Sequence, residues 1–257
     1  MIKGDFHVHT NFCDGKSSAE ETVLKAIELG LSVIGFSGHG YTPFDTSYCM
    51  TRTESYRAEI SALSEKYKDR IKILCGVERD LFGEEAPWAE YTIGSVHYMK
   101  IENELVDVDE SPEKLIAAAE KYFGGDMLSL CEIYFDEVGS VAETLHPDII
   151  GHFDLITKFN GNNALFDESS PRYTAAWKKA ADKLLLADIP FEINTGAICR
   201  GYKSVPYPCE AQVKYIASKG GRFVLTSDCH FADNLCFELT KWEAWAKSFG
   251  AEITDIL

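Results

Sequence analysis

Long hydrophobic runs are absent from this sequence of 257 residues. No stretch approaches the roughly 20 consecutive apolar residues that a membrane-spanning helix needs, so no membrane anchor is predicted. The N-terminus runs directly into strand-like sequence, without the charged and then apolar leader of an exported protein. We therefore expect a soluble cytoplasmic protein that does not act at a membrane.

Positive charge is also scarce. The chain has 25 Lys and Arg residues against 41 Asp and Glu residues, which gives a formal net charge of -16. Such a chain repels nucleic acid polymers and anionic lipid surfaces, so neither is expected as a partner. A small anion can still bind where several divalent cations reverse the local field.

Two short motifs are missing as well. None of the eight cysteines forms a Cys-x-x-Cys pair, so reduced and partly buried cysteines are expected. No glycine-rich phosphate loop of the dinucleotide or Walker type occurs, which argues against the open-sheet nucleotide-binding folds. Since no internal repeat or linker interrupts the chain, we predict one domain over residues 1–257.

Short apolar runs alternate with longer amphipathic segments along the chain. This alternation is typical of parallel strands joined by right-handed helical crossovers, and seven such strands favour a closed or nearly closed α/β barrel. The predicted strands are Lys3–Thr10, Ser32–Ser37, Lys72–Val77, Tyr91–His97, Ile149–His152, Phe191–Asn194 and Phe223–Asp228. The predicted helices are Thr22–Leu29, Thr53–Lys68, Pro112–Phe123, Met127–Leu145, Arg172–Ala187, Cys209–Lys219 and Leu239–Phe249.

Histidines gather at the ends of these strands. In a parallel barrel the C-terminal strand ends meet on one face, and that face carries the active site. His7 and His9 are two residues apart on one strand, so their side chains point to the same side. Six of the seven histidines lie at or just past a predicted strand end: His7, His9, His39, His97, His152 and His230.

Three carboxylates occupy matching positions. Asp14 follows the first strand, Glu78 ends the third and Asp228 ends the seventh. Together with the histidines they make nine candidate ligands, which suit two or three metal ions because four or five ligands serve one ion. Mixed imidazole and carboxylate ligation favours Zn, Mn or Fe over Ca or Mg. Charge balance favours three ions, since three carboxylates, one hydroxide and one phosphate-ester dianion would neutralise three divalent cations.

The order of these motifs resembles that of the PHP (polymerase and histidinol phosphatase) family, over the whole chain. The Asp-Phe-His-Val-His-Thr start and the length are most similar to the family's histidinol-phosphate phosphatase branch. The motifs are His7-Val8-His9 with Asp14, Gly38-His39-Gly40, Gly76-Val77-Glu78, Ser95-Val96-His97, Gly151-His152-Phe153 and Asp228-Cys229-His230.

The resemblance implies a distorted (β/α)7 barrel with a trinuclear centre. It assigns His7, His9, Glu78 and Asp228 to one metal. Glu78 would bridge to a second metal that His97 and His152 also hold, and Asp14, His39 and His230 would hold a third.

The implied activity is that of a metal-dependent phosphoric monoester hydrolase. It would convert L-histidinol phosphate to L-histidinol and phosphate in histidine biosynthesis, by attack of a metal-bridging hydroxide on phosphorus. Glu78, Asp228 and His230 are the catalytic candidates, and the donor of the leaving-group proton stays open between Asp228, His230 and a metal-held water.

Other residues are candidates for holding a small-molecule phosphate ester. Arg200, on the loop after the sixth strand, can present a planar fork to phosphate oxygens, and Lys158 follows the fifth strand. Asn194 either contacts the substrate or caps its strand. An acidic and aromatic mouth from the loops Tyr41–Met50 and Asp80–Tyr91 would suit the amine and imidazole of histidinol phosphate.

Two alternative functions are compatible with the sequence. One is a phosphoesterase that acts on small nucleotides of the nucleoside 3′,5′-bisphosphate type. The other is a metal-binding domain without turnover. The oligomeric state is not predicted.

Overall fold

Parallel strands form two sheets in the computed structural model, which describes residues 2–256. The smaller sheet has three strands in the order β1-β2-β3, namely Gly4–Asp5, Val33–Phe36 and Lys72–Cys75. All of its strand pairs are parallel. Helices between successive strands supply the crossovers that parallel pairing requires.

The larger sheet has six strands and is also parallel throughout. Its order is β11-β10-β9-β8-β5-β4. These strands are β4 (Val77–Asp80), β5 (Thr92–Ser95), β8 (Ile149–Ile150), β9 (Phe191–Asn194), β10 (Arg222–Thr226) and β11 (Glu252–Ile253). A separate antiparallel hairpin consists of β6 (Tyr98–Ile101) and β7 (Glu104–Asp107).

Two isolated parallel bridges connect the sheets. One joins Val8, just after β1, to Cys229, just after β10, and the other joins His39, just after β2, to Glu78 in β4. Backbone hydrogen bonds fix both places, with the His9 amide 2.8 Å from the Cys229 carbonyl and the Gly40 amide 2.7 Å from the Glu78 carbonyl. The segments that follow the strands of the two sheets therefore converge on one region.

Helices cover the sheets, and their ends follow local sequence signals. Ser18 and Glu21 form the capping box predicted in front of the first helix. Ser111 caps the third helix, which begins at Pro112 and is followed by Gly124 in the left-handed conformation. The helices are α1 (Ala19–Glu28), α2 (Thr53–Tyr67), α3 (Pro112–Phe123), α4 (Met127–Val138), α5 (Val141–Leu145), α6 (Pro171–Leu185), α7 (Gly196–Cys199), α8 (Glu210–Ser218) and α9 (Leu239–Lys247).

The structure confirms the predicted alternation and differs from it in detail. The predicted helix Met127–Leu145 is divided into α4 and α5 at Gly139 and Ser140, because glycine is a weak helix former and here lies against the backbone of α6. The predicted strand Lys72–Val77 divides at Gly76, and β4 continues in the larger sheet. The hairpin β6–β7, the strand β11 and the short helix α7 were not predicted.

Within residues 2–256, no helix is both long enough and apolar enough to cross a membrane.

Tyr91 fills the space between the sheets, and small residues make room for it. Its hydroxyl donates to the Phe6 carbonyl at 2.7 Å, and its ring lies against Gly35 and Gly76. A Cβ at Gly76 would overlap the ring, and the buried ring has no solvent to move into.

We expect Gly76→Ala to lower the free energy of unfolding by about 1–3 kcal/mol, because of this overlap. Chemical denaturation monitored by circular dichroism measures the change. Gly161→Ala is the matched control, since nothing lies within 4 Å of the added Cβ there. Equal stability of the two variants would contradict the packing assigned to Tyr91.

Candidate metal centre

Glu78 lies at the middle of the predicted ligand set. It is fully buried in β4, and the Ser95 hydroxyl donates to its Oε1 at 2.7 Å. Burial alone would raise the pKa of Glu78, but the charges of the surrounding histidines lower it well below its usual range. Five imidazoles have a nitrogen within 3.6 Å of its carboxylate oxygens: His152 at 2.9 Å, His39 at 3.0 Å, His7 at 3.1 Å, His97 at 3.3 Å and His9 at 3.6 Å.

Asp228, which follows β10, is a second carboxylate that contacts several of the predicted histidines. Its Oδ1 lies 3.3 Å from His9 Nε2 and 3.4 Å from His230 Nδ1. Its backbone has φ of +50°, a conformation that is rare for residues other than glycine and that recurs at functional sites. Gly196 gives it space, since a Cβ there would lie 2.7 Å from the Asp228 carboxylate.

Asp14 completes the set from the segment after β1. Its Oδ2 lies 3.0 Å from His230 Nε2, and its Oδ1 lies 3.5 Å from His9 Nδ1 and 3.7 Å from His39 Nε2. All nine side chains named from the sequence therefore belong to one contact network. The remaining histidine, His146, ends α5 and is not part of it.

The chemistry of this network fits divalent cations. Within the part of the chain that the structure describes, six buried atoms of this network have no hydrogen-bond partner: His7 Nε2, His9 Nε2, Asp14 Oδ1, Glu78 Oε2, His97 Nδ1 and His152 Nδ1. Unpaired buried polar atoms are costly, and a bound cation would satisfy imidazole and carboxylate atoms together. Three groups of ligand atoms lie mutually within 4.8 Å: His9, Asp14, His39 and His230; His7, His9 and Glu78; and His39, Glu78 and His97.

His9 is suited to donate a lone pair. Burial together with the neighbouring His230 and His39 lowers the pKa of His9 to about 3. The ring is therefore neutral at physiological pH, as a metal ligand has to be.

A buried carboxylate behind the network was not anticipated from the sequence. Glu192, in β9, is fully buried and contacts His7 Nδ1 at 2.5 Å. Its other oxygen accepts the backbone N–H of His152 at 2.8 Å. The available signal was a charged residue between the apolar residues Phe191 and Ile193 of a predicted strand, where an unpaired buried carboxylate would be strongly destabilising.

The three predicted substrate contacts occupy different environments. Arg200 lies against the centre, where its guanidinium donates to the Asp228 carboxylate at 3.0 Å. Lys158 donates to the Asp109 carboxylate at 3.0 Å and to its carbonyl at 2.7 Å. Asn194 is fully buried. Its side-chain oxygen accepts a hydrogen bond from the Gly196 N–H, and its side-chain nitrogen donates one to Glu192.

An acidic and aromatic cleft opens beside the centre. It has a volume of about 260 Å³, and the metal-ligand candidates Asp14, His39 and His97 form one side of it. The rings of Tyr48 and Tyr98 stand roughly parallel with centroids 6.2 Å apart. The other lining residues are Asp45, Ser47, Asp107, Asp109 and Glu110.

The cleft agrees with only part of the predicted mouth. The loop Tyr41–Met50 contributes to it, whereas the loop Asp80–Tyr91 does not line it. The hairpin β6–β7 and the residues after it take that place. Trp88, an aromatic residue of the loop Asp80–Tyr91, packs edge-on against Tyr56, with ring centroids 6.0 Å apart.

Comparison with known proteins matches this chain to the PHP domain model over residues 5–196. A probable histidinol-phosphatase of Schizosaccharomyces pombe is 28% identical over 251 residues, which cover 87% of this chain and 79% of that protein. A probable histidinol-phosphatase of Deinococcus radiodurans is 28% identical over 240 residues, which cover 88% of this chain and 85% of that protein.

Two solved structures share the fold. A candidate histidinol phosphatase of Listeria monocytogenes superposes with a TM-score of 0.79 at 20% identity, covering 93% of this chain and 100% of that one. The histidinol phosphate phosphatase of Lactococcus lactis, complexed with Zn, L-histidinol and phosphate, superposes with a TM-score of 0.73 at 22% identity. That match covers 98% of this chain and 95% of the other.

Proposed function

This chain belongs to the PHP domain family, and from that premise we propose that it hydrolyses L-histidinol phosphate to L-histidinol and phosphate. The observation that carries the proposal is the contact network around Glu78, which opens onto an acidic and aromatic cleft. Two relatives named as probable histidinol-phosphatases align over most of the chain and support the same substrate.

The proposed centre holds three divalent transition metal ions, Zn, Mn or Fe. Bound ions of this kind neutralise phosphate oxygens and lower the pKa of coordinated water. The three overlapping ligand groups support the number, and the Zn in the Lactococcus lactis structure supports the type. The proposed sets are His7, His9, Glu78 and Asp228 for the first ion, Glu78, His97 and His152 for the second, and Asp14, His39 and His230 for the third.

Two further distances concern the second set. His39 Nδ1 lies 3.0 Å from Glu78, so His39 is also within reach of the second ion. His152 Nε2 approaches the other Glu78 oxygen at 2.9 Å and supports its own place in that set. These contacts support Glu78 as the residue that neighbouring ions would share.

Side chains at the rim of the centre would hold the ester. Arg200 has N–H groups to donate to phosphate oxygens beyond those it gives to Asp228. Asp228 and His230 both serve as ligands in this proposal, so neither is a free acid. The leaving alkoxide then has to take its proton from water.

The same proposal includes a distorted (β/α)7 barrel formed by one domain over residues 1–257. β3 and β4 are separated only by Gly76 and count as one interrupted strand. With β1, β2, β5, β8, β9 and β10 they make seven parallel strands. The bridges from Val8 to Cys229 and from His39 to Glu78 support closure.

The cleft favours a cationic leaving group over a nucleotide. Its carboxylates Asp45, Asp107, Asp109 and Glu110 outnumber the two lysines that pair with them, Lys114 and Lys158. Histidinol carries an amine and an imidazole, which this excess of negative charge attracts. The second phosphate of a nucleoside 3′,5′-bisphosphate would meet repulsion there.

Phosphate release from L-histidinol phosphate by the Zn- or Mn-loaded protein tests the function, with adenosine 3′,5′-bisphosphate run in parallel. We expect kcat/KM above roughly 10⁴ M⁻¹s⁻¹ on histidinol phosphate, as is usual for an enzyme on its own substrate, and far less on the nucleotide. The opposite preference would move the function to nucleotide turnover. No release from either, with metals bound, would favour the domain without turnover.

The role of the cleft is tested by Asp45→Asn. This variant keeps an oxygen to accept the Tyr98 hydroxyl, which lies 2.6 Å away, but removes the charge. We expect KM for histidinol phosphate to rise roughly threefold to tenfold with little change in kcat. Glu104→Gln is the control, because Glu104 lies on the hairpin β6–β7, pairs with Lys121 of α3 and does not line the cleft. An equal rise in both variants would count against a cationic subsite.

A further inference from the structure

Glu192 lies behind the proposed metal centre, and its two carboxylate oxygens have different partners. Oε1 lies 2.5 Å from His7 Nδ1, and Oε2 accepts the backbone N–H of His152 at 2.8 Å. His7, His152 and Glu192 are all at least 95% buried, so solvent does not compete for these hydrogen bonds. The contact between His7 and Glu192 joins residues 185 positions apart in the chain.

We propose that Glu192 is a positioning residue that holds His7 and His152, ligands of two different ions, in register with the shared ligand Glu78. His7 Nε2 lies 3.1 Å from one Glu78 oxygen, and His152 Nε2 lies 2.9 Å from the other. Glu78 thus faces both rings from the front, while Glu192 fixes both residues from behind. This inference rests on the metal centre proposed above and does not depend on which phosphate ester is the substrate.

The hydrogen bond to His7 selects one form of its ring. A carboxylate can only accept, so Nδ1 of His7 has to carry the proton that it donates to Glu192. In the neutral ring that metal binding requires, the lone pair is then on Nε2, which faces Glu78 and has no hydrogen-bond partner among residues 2–256. A carboxylate behind a ligating histidine fixes both tautomer and ring orientation in this way.

The bond to His152 acts on the backbone instead of on the ring. It holds the chain just after β8, where Gly151 leads into His152. A Cβ at Gly151 would overlap the Ser95 hydroxyl, which itself donates to Glu78. The position of the His152 ring therefore depends on the conformation of the backbone at Gly151 and His152. Glu192 holds this conformation, and the lack of a side chain at Gly151 permits it.

Asn194 supports Glu192 from the same strand. Its Nδ2 donates to Glu192 Oε2 at 3.2 Å, and its Oδ1 accepts the Gly196 N–H at 2.9 Å. Since Asn194 is fully buried and its side chain is occupied on both sides, we assign it to this support rather than to a contact with the substrate.

The substitution Glu192→Gln tests the proposal. A glutamine amide offers one acceptor oxygen, so it can accept from His7 Nδ1 or from the His152 N–H, but not from both. We expect the Zn²⁺ affinity of the weakest-held ions to fall by roughly 10- to 100-fold. Titration of the metal-free protein with Zn²⁺ against a competing chromogenic chelator measures this without any substrate.

Glu137→Gln is the control variant. Glu137 also accepts a backbone N–H, that of Lys100 at 2.8 Å, but lies outside the contact network. The Zn²⁺ affinity of the Glu137→Gln variant should equal that of the unmodified protein. Thermal unfolding of the metal-free forms, followed by circular dichroism, separates loss of ligand positioning from loss of folding.

Two outcomes would overturn the proposal. One is an unchanged Zn²⁺ affinity in Glu192→Gln, even if the metal-free variant unfolds at a lower temperature, because the role of Glu192 would then be structural only. The other is a signal for a proton on His7 Nε2 rather than Nδ1 in the ¹⁵N spectrum of the Zn-loaded protein. Failure of histidinol phosphate as a substrate would leave both measurements intact and would affect only the proposed function.

Asn194→Ala provides a second test should Glu192→Gln fail to fold. It removes one hydrogen bond to Glu192 while leaving the contact with His7, so a smaller loss of Zn²⁺ affinity, roughly threefold, is expected. A raised KM with unchanged Zn²⁺ affinity would instead place Asn194 against the substrate and refute its assignment as support.

Discussion

Glu78→Ala is expected to lose at least two bound ions and roughly 10⁴-fold or more in kcat/KM on the phosphate ester. The reason is geometric, because both carboxylate oxygens of Glu78 contact imidazoles. His7 contacts one of the two oxygens, and His152 contacts the other. In the proposed centre, removal of this carboxylate would remove the one ligand that two neighbouring ions share. It also leaves buried imidazoles without their counter-charge. Elemental analysis of the purified protein gives the metal content, and phosphate release gives the activity.

Glu78→Gln separates the lost charge from the lost volume. The amide fills the same space and can still accept the Ser95 hydroxyl, which lies 2.7 Å from Glu78 Oε1, but it is a poor metal ligand. We expect metal content to fall almost as far as in Glu78→Ala, while the free energy of unfolding of the metal-free protein changes less. Near-normal turnover in either variant would remove the shared-ligand arrangement altogether.

The network around Glu78 could be predicted because its residues are placed by strand ends. His7, His9 and Asp228 adjoin short apolar runs, and parallel strands bring such positions together whatever the loop lengths are. The family resemblance added the grouping of ligands, which spacing alone leaves open. Exact strand limits were less predictable, since β1 is only Gly4–Asp5 where Lys3–Thr10 was expected.

The residues that support and flank the network were harder to predict. Glu192 is recognisable only through its partners His7 and His152, which lie 185 and 40 positions away. A single charged residue in a strand does not identify such partners. The cleft depends on the hairpin β6–β7, and Lys158 reaches Asp109 across 49 positions. Contacts of this kind are set by tertiary packing, for which local periodicity carries no signal.

Arg200 contacts Asp228, and in the proposed function it would also bind the phosphate of the ester. Its guanidinium donates to the Asp228 carbonyl at 3.2 Å and to the Asp228 carboxylate at 3.0 Å, and lies 3.1 Å from His230 Nδ1. Burial would lower the pKa of Arg200, but the charge of Asp228 raises it above its usual value, so the group stays cationic. Part of the side chain remains exposed, which leaves N–H groups for an incoming phosphate.

We expect Arg200→Ala to lower kcat/KM by roughly 10³-fold and Arg200→Lys by roughly 10²-fold, because lysine keeps the charge but loses the fork that can bind Asp228 and phosphate together. Inhibition by inorganic phosphate should weaken in the same order. Arg172→Lys is the control, since Arg172 forms comparable ion pairs with Asp126 and Glu132 on the protein surface.

Metal content decides which of the two contacts of Arg200 matters more. If Arg200 acts on the ester, both variants retain their ions and lose affinity for phosphate. If it acts only by holding Asp228, metal content falls and phosphate inhibition per loaded site is unchanged. The second result would exclude Arg200 from the phosphate site. The bound ions would then be the only cations that contact the ester.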